Sequence, residues 1–271
     1  MGDIKDVAAS IKQALTSDPD RDLEFLARLF EDDSITDVGA GNELSNRLTT
    51  ILAASSNGAN NGVTHFSGIY AGCHDRGFRT DFKDPWPGFS DNQVGHFTTA
   101  VDMGFRPMNT FNALPWWARA LAGSMPRSPF VSDSWNQILT SEDVCMRAII
   151  GHEQVADSAL NANEEAVKSA TEYEVNLFQN ALVTVTSSLN QDPTSTRTAL
   201  LGIRIGSGQG NSMQDLLLSC FGYEFGKMIR SGTVDKRAYA ARWIRSNIGG
   251  MKDRDGIFND GVQPPSGTAF G

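Results

Sequence analysis

The sequence predicts an all-α protein: a single, mainly helical domain with long, aromatic-rich loops. In most segments the apolar residues recur every three or four positions, which is the period of an amphipathic helix. Runs that alternate apolar and polar residues, as half-buried strands do, are few. Glycine and proline are frequent near the C-terminal end. We therefore expect one helical domain over residues 1–250 and a flexible tail over residues 251–271.

The individual helices follow from these apolar positions and from the capping residues that precede them. Residues 59–90 lack such a period and are rich in aromatic side chains, which indicates a long but packed loop. Four glutamates between residues 164 and 174, the last of them Glu174, are expected on a solvated helical face. The expected helices lie at about 3–16, 23–30, 44–52, 91–104, 141–156, 163–189, 212–229 and 234–247.

Composition excludes several classes of protein. The chain has 271 residues, which is enough to bury a sizeable core. Its net charge of −9 argues against a basic surface, so neither nucleic acid nor an anionic membrane is an expected partner. The cysteines are widely separated and form no CxxC pair, which argues against a disulfide framework or a zinc knuckle. They are Cys73, Cys145 and Cys220.

The first residues of the chain and its apolar runs bear on where the protein is located in the cell. The first residues lack the basic segment and the apolar segment of a secretory signal peptide. No apolar run approaches the roughly 18 residues that a transmembrane helix requires. We expect a protein without a transmembrane segment that is cytoplasmic, or exported without a cleavable signal peptide.

His96 is the first residue that points to chemistry. It lies in the helix expected at 91–104, with Asp91 as the expected N-cap and with apolar residues, Val94 and Phe97 among them, on the same side. A histidine close to an apolar face requires a hydrogen-bonding or charged partner. Asn92 precedes His96 by one helical turn and is therefore expected on the same face.

Two later helices carry candidate partners for His96. One contains the adjacent pair His152 and Glu153 in an otherwise apolar segment. The other begins at Ser212 and carries a stripe of Asp215, Ser219, Gly222 and Gly226 at helical spacing. Small residues on such a stripe allow another backbone to approach closely, which would place Asp215 inside a contact between helices. We expect His96, His152, Glu153 and Asp215 to form one cluster.

Histidines and carboxylates in one cluster suit two kinds of chemistry. They can act as general acids and bases, or they can hold a divalent metal ion with an open position. The sequence does not decide between them, because Ala156 stands where the H-E-x-x-H zinc motif has its second histidine. We expect Asn92, Trp116 and Trp117 to contribute to substrate binding.

The order of these motifs resembles an α-helical domain, itself uncharacterised, at the C-terminal ends of bacterial polymorphic toxins and wall-associated proteins. That domain has the pattern N-x-x-x-H, then H-E, then D-L-x-N-N-x-x-G. The present chain has Leu218 and Ser219 in place of the Asn pair and a long insertion around 158–205. The resemblance implies an effector or hydrolase-like role. The residues that match are Asn92, His96, His152, Glu153, Asp215, Leu216 and Gly222.

Two functional hypotheses follow from the sequence. In the first, the chain is a hydrolase-like enzyme or effector that acts on a small-molecule or cell-envelope substrate through the His/Glu/Asp cluster. In the second, it is a non-catalytic helical protein that binds or assembles with a protein partner, and the same residues form a buried polar network that fixes the helix register. The first hypothesis requires His96, His152 and Asp215 to come within hydrogen-bond reach around a solvent-accessible pocket, and it fails if they lie on separate, sealed parts of the core.

Overall fold

The computed structural model describes residues 2–55, 68–83, 92–107, 145–154, 170, 172–186, 193–205 and 212–249. These residues are mainly helical, and within them the only β-type pairing is an isolated bridge between Gly2 and Ile35. The predicted all-α class is therefore confirmed. The tail expected at 251–271 lies outside the described residues.

The helices are α1 (Ile4–Ala14), α2 (Arg21–Glu31), α3 (Glu43–Ser55), α4 (Gln93–Phe105), α5 (Glu172–Thr186), α6 (Pro193–Leu200), α7 (Met213–Ser231) and α8 (Arg237–Trp243). Helix α8 continues into a π-helical turn, Ile244–Ile248. Residues 145–154 are also helical and are referred to as the 145–154 helix. Two short 3-10 turns, Gly68–Tyr70 and Thr80–Phe82, lie in the segment expected to be a packed loop, and they bury Tyr70 and Phe82.

Helices α4 and α7 form the centre of the molecule. In α4, eleven of the thirteen residues are buried, so nearly every side of this helix faces protein. The glycine stripe of α7 explains how closely the two helices approach: a Cβ atom at Gly222 would lie 2.6 Å from the carbonyl oxygen of Phe97, and one at Gly226 would overlap the backbone of Val101. Only glycine fits at these positions. The close approach expected from the stripe is present.

Two buried or partly buried arginines, Arg47 and Arg245, connect helices around this centre through hydrogen bonds and ion pairs. The guanidinium of Arg47 is fully buried and donates to the carbonyl oxygens of Leu29 and Phe30 at 2.9 and 3.0 Å, at the C-terminal end of α2. It also forms an ion pair with Asp37 at 2.5 Å. Arg245, in the π-helical turn, pairs with Glu24 at 2.8 Å and with Glu31. These contacts join segments that are far apart in sequence.

One expected surface group is buried. Glu174 is 2% exposed, so its predicted place on a solvated helical face is wrong. Its carboxylate accepts a hydrogen bond from Gln154 at 2.7 Å and pairs with Arg204 at 3.2 Å. Both partners come from outside α5, which is why the periodicity of the helix alone did not reveal them.

Candidate functional site

The first turn of α4 places His96. The N-cap is Asn92, whose side-chain oxygen accepts a hydrogen bond from the Gly95 N–H at 3.0 Å; the expectation that Asp91 caps this helix is wrong. The cap is followed one turn later by His96, which is 4% exposed. The cap fixes where the helix begins, and His96 lies in its first turns with a buried side chain.

The first turn of α7 places Asp215. Ser212 is the N-cap, and its hydroxyl accepts from the Asp215 N–H at 3.1 Å. In a reciprocal capping box the acidic residue would bind the N-cap N–H. Here the Ser212 N–H donates to Oε2 of Glu153 at 3.2 Å, so the 145–154 helix supplies the acceptor. This bond fixes Glu153 against the start of α7.

The four predicted residues meet around the imidazole of His96. Its Nδ1 lies 3.9 Å from Oε1 of Glu153, and its Nε2 lies 4.0 Å from Oδ2 of Asp215. The ring of His152 is tilted by 47° to the His96 ring, with 5.6 Å between their centroids. The residues therefore lie together as expected, although the two carboxylate oxygens are farther from the His96 nitrogens than the expected hydrogen-bond reach. The roles of these residues in catalysis remain predictions.

Gln93 belongs to the same cluster and was missed in the sequence. It is fully buried, and its amide nitrogen donates both to the carbonyl oxygen of Phe82 at 2.5 Å and to Oδ1 of Asp215 at 2.7 Å. This fixes one carboxylate oxygen of Asp215 and leaves the other facing His96. Its spacing of three residues from His96 was the available signal, since residues at i and i+3 share a helical face.

Burial sets the protonation of the histidines. It lowers the pKa of His96 to about 4, and it lowers the pKa of His152, together with the charge of His96, to about 4. Burial also raises the pKa of Asp215 to about 7, against the opposing effect of hydrogen bonds from Gln93 and Ser212. Uncharged imidazoles at neutral pH can accept a proton or coordinate a metal.

Three of the side chains could hold a metal ion. His96, His152 and Glu153 each offer one ligand atom, and these atoms lie within 4.8 Å of one another. Asp215 borders this set on the opposite side of the His96 ring. Its Oδ2 is buried and has no hydrogen-bond partner in the part of the chain that the structure describes.

The three residues predicted to bind substrate are Asn92, Trp116 and Trp117, and the structure describes only the first of them. The side chain of Asn92 caps α4, and a role in substrate binding stays a prediction. Trp116 and Trp117 lie outside the described residues. Across the described segments, no helix combines the length and the apolar character that membrane spanning requires.

Comparisons with known proteins found no matching family model, no matching curated protein and no matching solved structure. The resemblance to the toxin-associated helical domain therefore depends on the motif residues alone.

Proposed function

We propose that this protein is a hydrolase-like enzyme whose active centre is formed by His96, His152, Glu153 and Asp215. The observation that supports this most is the convergence of two imidazoles and two carboxylates from three separate helices. Burying such groups costs several kcal/mol unless they are well paired. The two carboxylate oxygens stand 3.9 and 4.0 Å from the His96 nitrogens, close enough to stabilise a positive charge on the ring.

The proposed chemistry follows from where each group lies. His96 is uncharged and takes a proton from the attacking water, then returns it to the leaving group. Glu153 and Asp215 flank the ring and stabilise the positive charge that it gains. His152 is the member of the cluster that is partly exposed, so it lies on the side from which a substrate can approach.

The proposed substrate is a small molecule or a component of the cell envelope. The cell-envelope part of this proposal depends on the motif resemblance. The net charge of −9 disfavours a polyanionic substrate such as nucleic acid.

One observation favours the second candidate, a non-catalytic binding or assembly protein. Gln93 links Asp215 to the Phe82 carbonyl, and Glu153 accepts from the Ser212 N–H, so members of the cluster also connect separate segments. In that case the cluster would act as a polar network that fixes helix register, and the protein's partner would be another protein.

A comparison of variants decides between the candidates. We would measure hydrolysis of a panel of chromogenic esters, amides, phosphoesters and glycosides by wild type, His96→Ala and His74→Ala. His74 is exposed and lies outside the cluster, so it is the matched control. We expect His96→Ala to lose about 100-fold or more in activity while remaining folded. Activity that His96→Ala retains in full would contradict the proposal.

A further inference from the structure

We infer that this centre binds one divalent transition-metal ion of the zinc class through His96 Nδ1, His152 and Glu153, and that Asp215 orients His96 instead of acting as a fourth ligand. This inference rests on the proposed active centre and changes one role within it. With an ion on Nδ1 and the Nε2 proton directed to Asp215, His96 would be a ligand and not the proton acceptor, and the ion would activate the attacking water by lowering its pKa. Metal binding can be measured without any substrate.

The donor atoms suit such an ion in type and spacing. Two imidazole nitrogens and one carboxylate oxygen are common zinc ligands, whereas magnesium and calcium prefer oxygen alone. The three donor atoms lie within 4.8 Å of one another. Some point then lies within about 2.8 Å of all three atoms, whereas zinc–ligand distances are ~2.0–2.2 Å. Side-chain adjustments of less than about an ångström close that difference.

The two nitrogens of His96 separate the ligand side of the ring from the orienting side. Nδ1 faces Glu153 at 3.9 Å, and Nε2 faces Asp215 at 4.0 Å. Metal-bound histidines commonly donate their other ring N–H to a carboxylate, which fixes the tautomer and the ring orientation. An ion on Nδ1 leaves the Nε2 proton for Oδ2 of Asp215.

Asp215 has the features of such an orienting carboxylate. Its Oδ1 is already bound by Gln93, and its fully buried Oδ2 has no hydrogen-bond partner within the described ranges. Three protein ligands then leave a coordination position for water, as in catalytic zinc sites and unlike closed structural ones.

The direct test is zinc binding by the full chain after treatment with a chelator. We expect one zinc ion per chain by elemental analysis after dialysis, and a rise in the melting temperature that magnesium does not reproduce. His152→Ala and Glu153→Gln should each weaken zinc binding by about 100-fold or more, while His74→Ala should bind as wild type does. Absence of stoichiometric zinc binding by folded wild type would overturn the inference, as would full retention of binding by folded Glu153→Gln. The wild-type result decides the matter if a variant fails to fold.

The role of Asp215 has its own readout. Asp215→Asn should weaken zinc binding by only about 10- to 100-fold. With cobalt as a spectroscopic probe, this variant should keep the visible absorption band of the wild-type complex, because the ligand set is unchanged. Loss of that band in folded protein would show that Asp215 is a ligand and would overturn its assignment as a positioning residue.

The two proposals fail in different ways. Zinc binding without hydrolysis of any substrate would contradict the proposed function and leave the metal site standing. Hydrolysis that requires His96 but is unaffected by chelation, in a protein that binds no zinc, would overturn the metal site and leave the acid–base function.

Discussion

Two buried polar regions of this molecule are built in opposite ways. The guanidinium of Arg47 is 0% exposed, and its nitrogens reach two carbonyl oxygens and one carboxylate at 2.5–3.0 Å. The imidazole of His96 is 4% exposed, yet the flanking carboxylate oxygens lie at 3.9 and 4.0 Å. Close hydrogen bonds offset the cost of burying the first group. Around the second group the two carboxylate oxygens are about an ångström farther from the ring nitrogens, and in our proposal a metal ion joins His96 to Glu153.

The difference between the Arg47 and His96 regions predicts that substitutions in the first change mainly stability and substitutions in the second change mainly activity. Residues around Arg47 should affect folding strongly and activity only through the folded fraction. Residues of the His96 cluster should affect activity strongly and folding less, because groups retained for function are not placed for maximal stability.

The largest effect on stability is expected at Arg47. Replacing it with alanine removes a fully buried cation and leaves Asp37 and the carbonyl oxygens of Leu29 and Phe30 without their donor. We expect a loss of about 3–5 kcal/mol in the free energy of unfolding. Urea denaturation measures this, and zinc binding by the remaining folded protein should match wild type. A loss below about 1 kcal/mol would contradict the structural role of this network.

A somewhat smaller effect is expected from the contact between α4 and α7. In Gly226→Ala the new methyl group overlaps the backbone of Val101, so the helices must separate. We expect a destabilisation of about 1–3 kcal/mol and a reduced zinc affinity, because α4 carries His96 and α7 carries Asp215. Ser219→Ala, on the same stripe, is the control and should change both quantities little. Equal behaviour of the two variants would show that close approach does not set the site.

Two glutamines provide a matched pair with still smaller effects. Gln93 donates to Asp215 at 2.7 Å inside the cluster, and Gln154 donates to Glu174 at the same 2.7 Å outside it. Alanine at either position should cost about 1–2 kcal/mol, because each leaves a buried carboxylate with one donor fewer. Only Gln93→Ala should also reduce hydrolytic activity beyond the loss in folded fraction. Equal activity losses in the two variants would contradict a specific role for Gln93.

Much of the cluster could be predicted because its members are polar exceptions on apolar helices. His96, His152 and Asp215 each break a regular apolar pattern, and that irregularity is local in sequence. Gln93 could not be recognised in the same way, since a polar residue in a first turn is usually exposed. Its burial depends on Phe82 and Asp215, one from a separate turn and one from a distant helix.

The two wrong predictions, for Glu174 and for the cap of α4, also arise from contacts and geometry that the local sequence does not reveal. Glu174 resembles a surface residue of its own helix, and only Gln154 and Arg204, from other segments, explain its burial. The cap of α4 is Asn92 and not Asp91. The two adjacent residues have about equal capping propensity, so the sequence alone could not distinguish them. Helix class and apolar faces depend on local periodicity, whereas partners of buried polar groups depend on tertiary contacts.

Two measurements on Asp215→Asn test the central claim most directly. They are its free energy of unfolding, from urea denaturation in metal-free buffer, and its hydrolytic activity relative to wild type after zinc has been added to both proteins. Asparagine keeps the shape of the side chain and can still bind Gln93, so we expect a change of less than about 1 kcal/mol together with a large loss of activity. A loss of stability comparable to that of Arg47→Ala, with activity that simply follows the folded fraction, would show that the cluster is a structural network and would contradict the account.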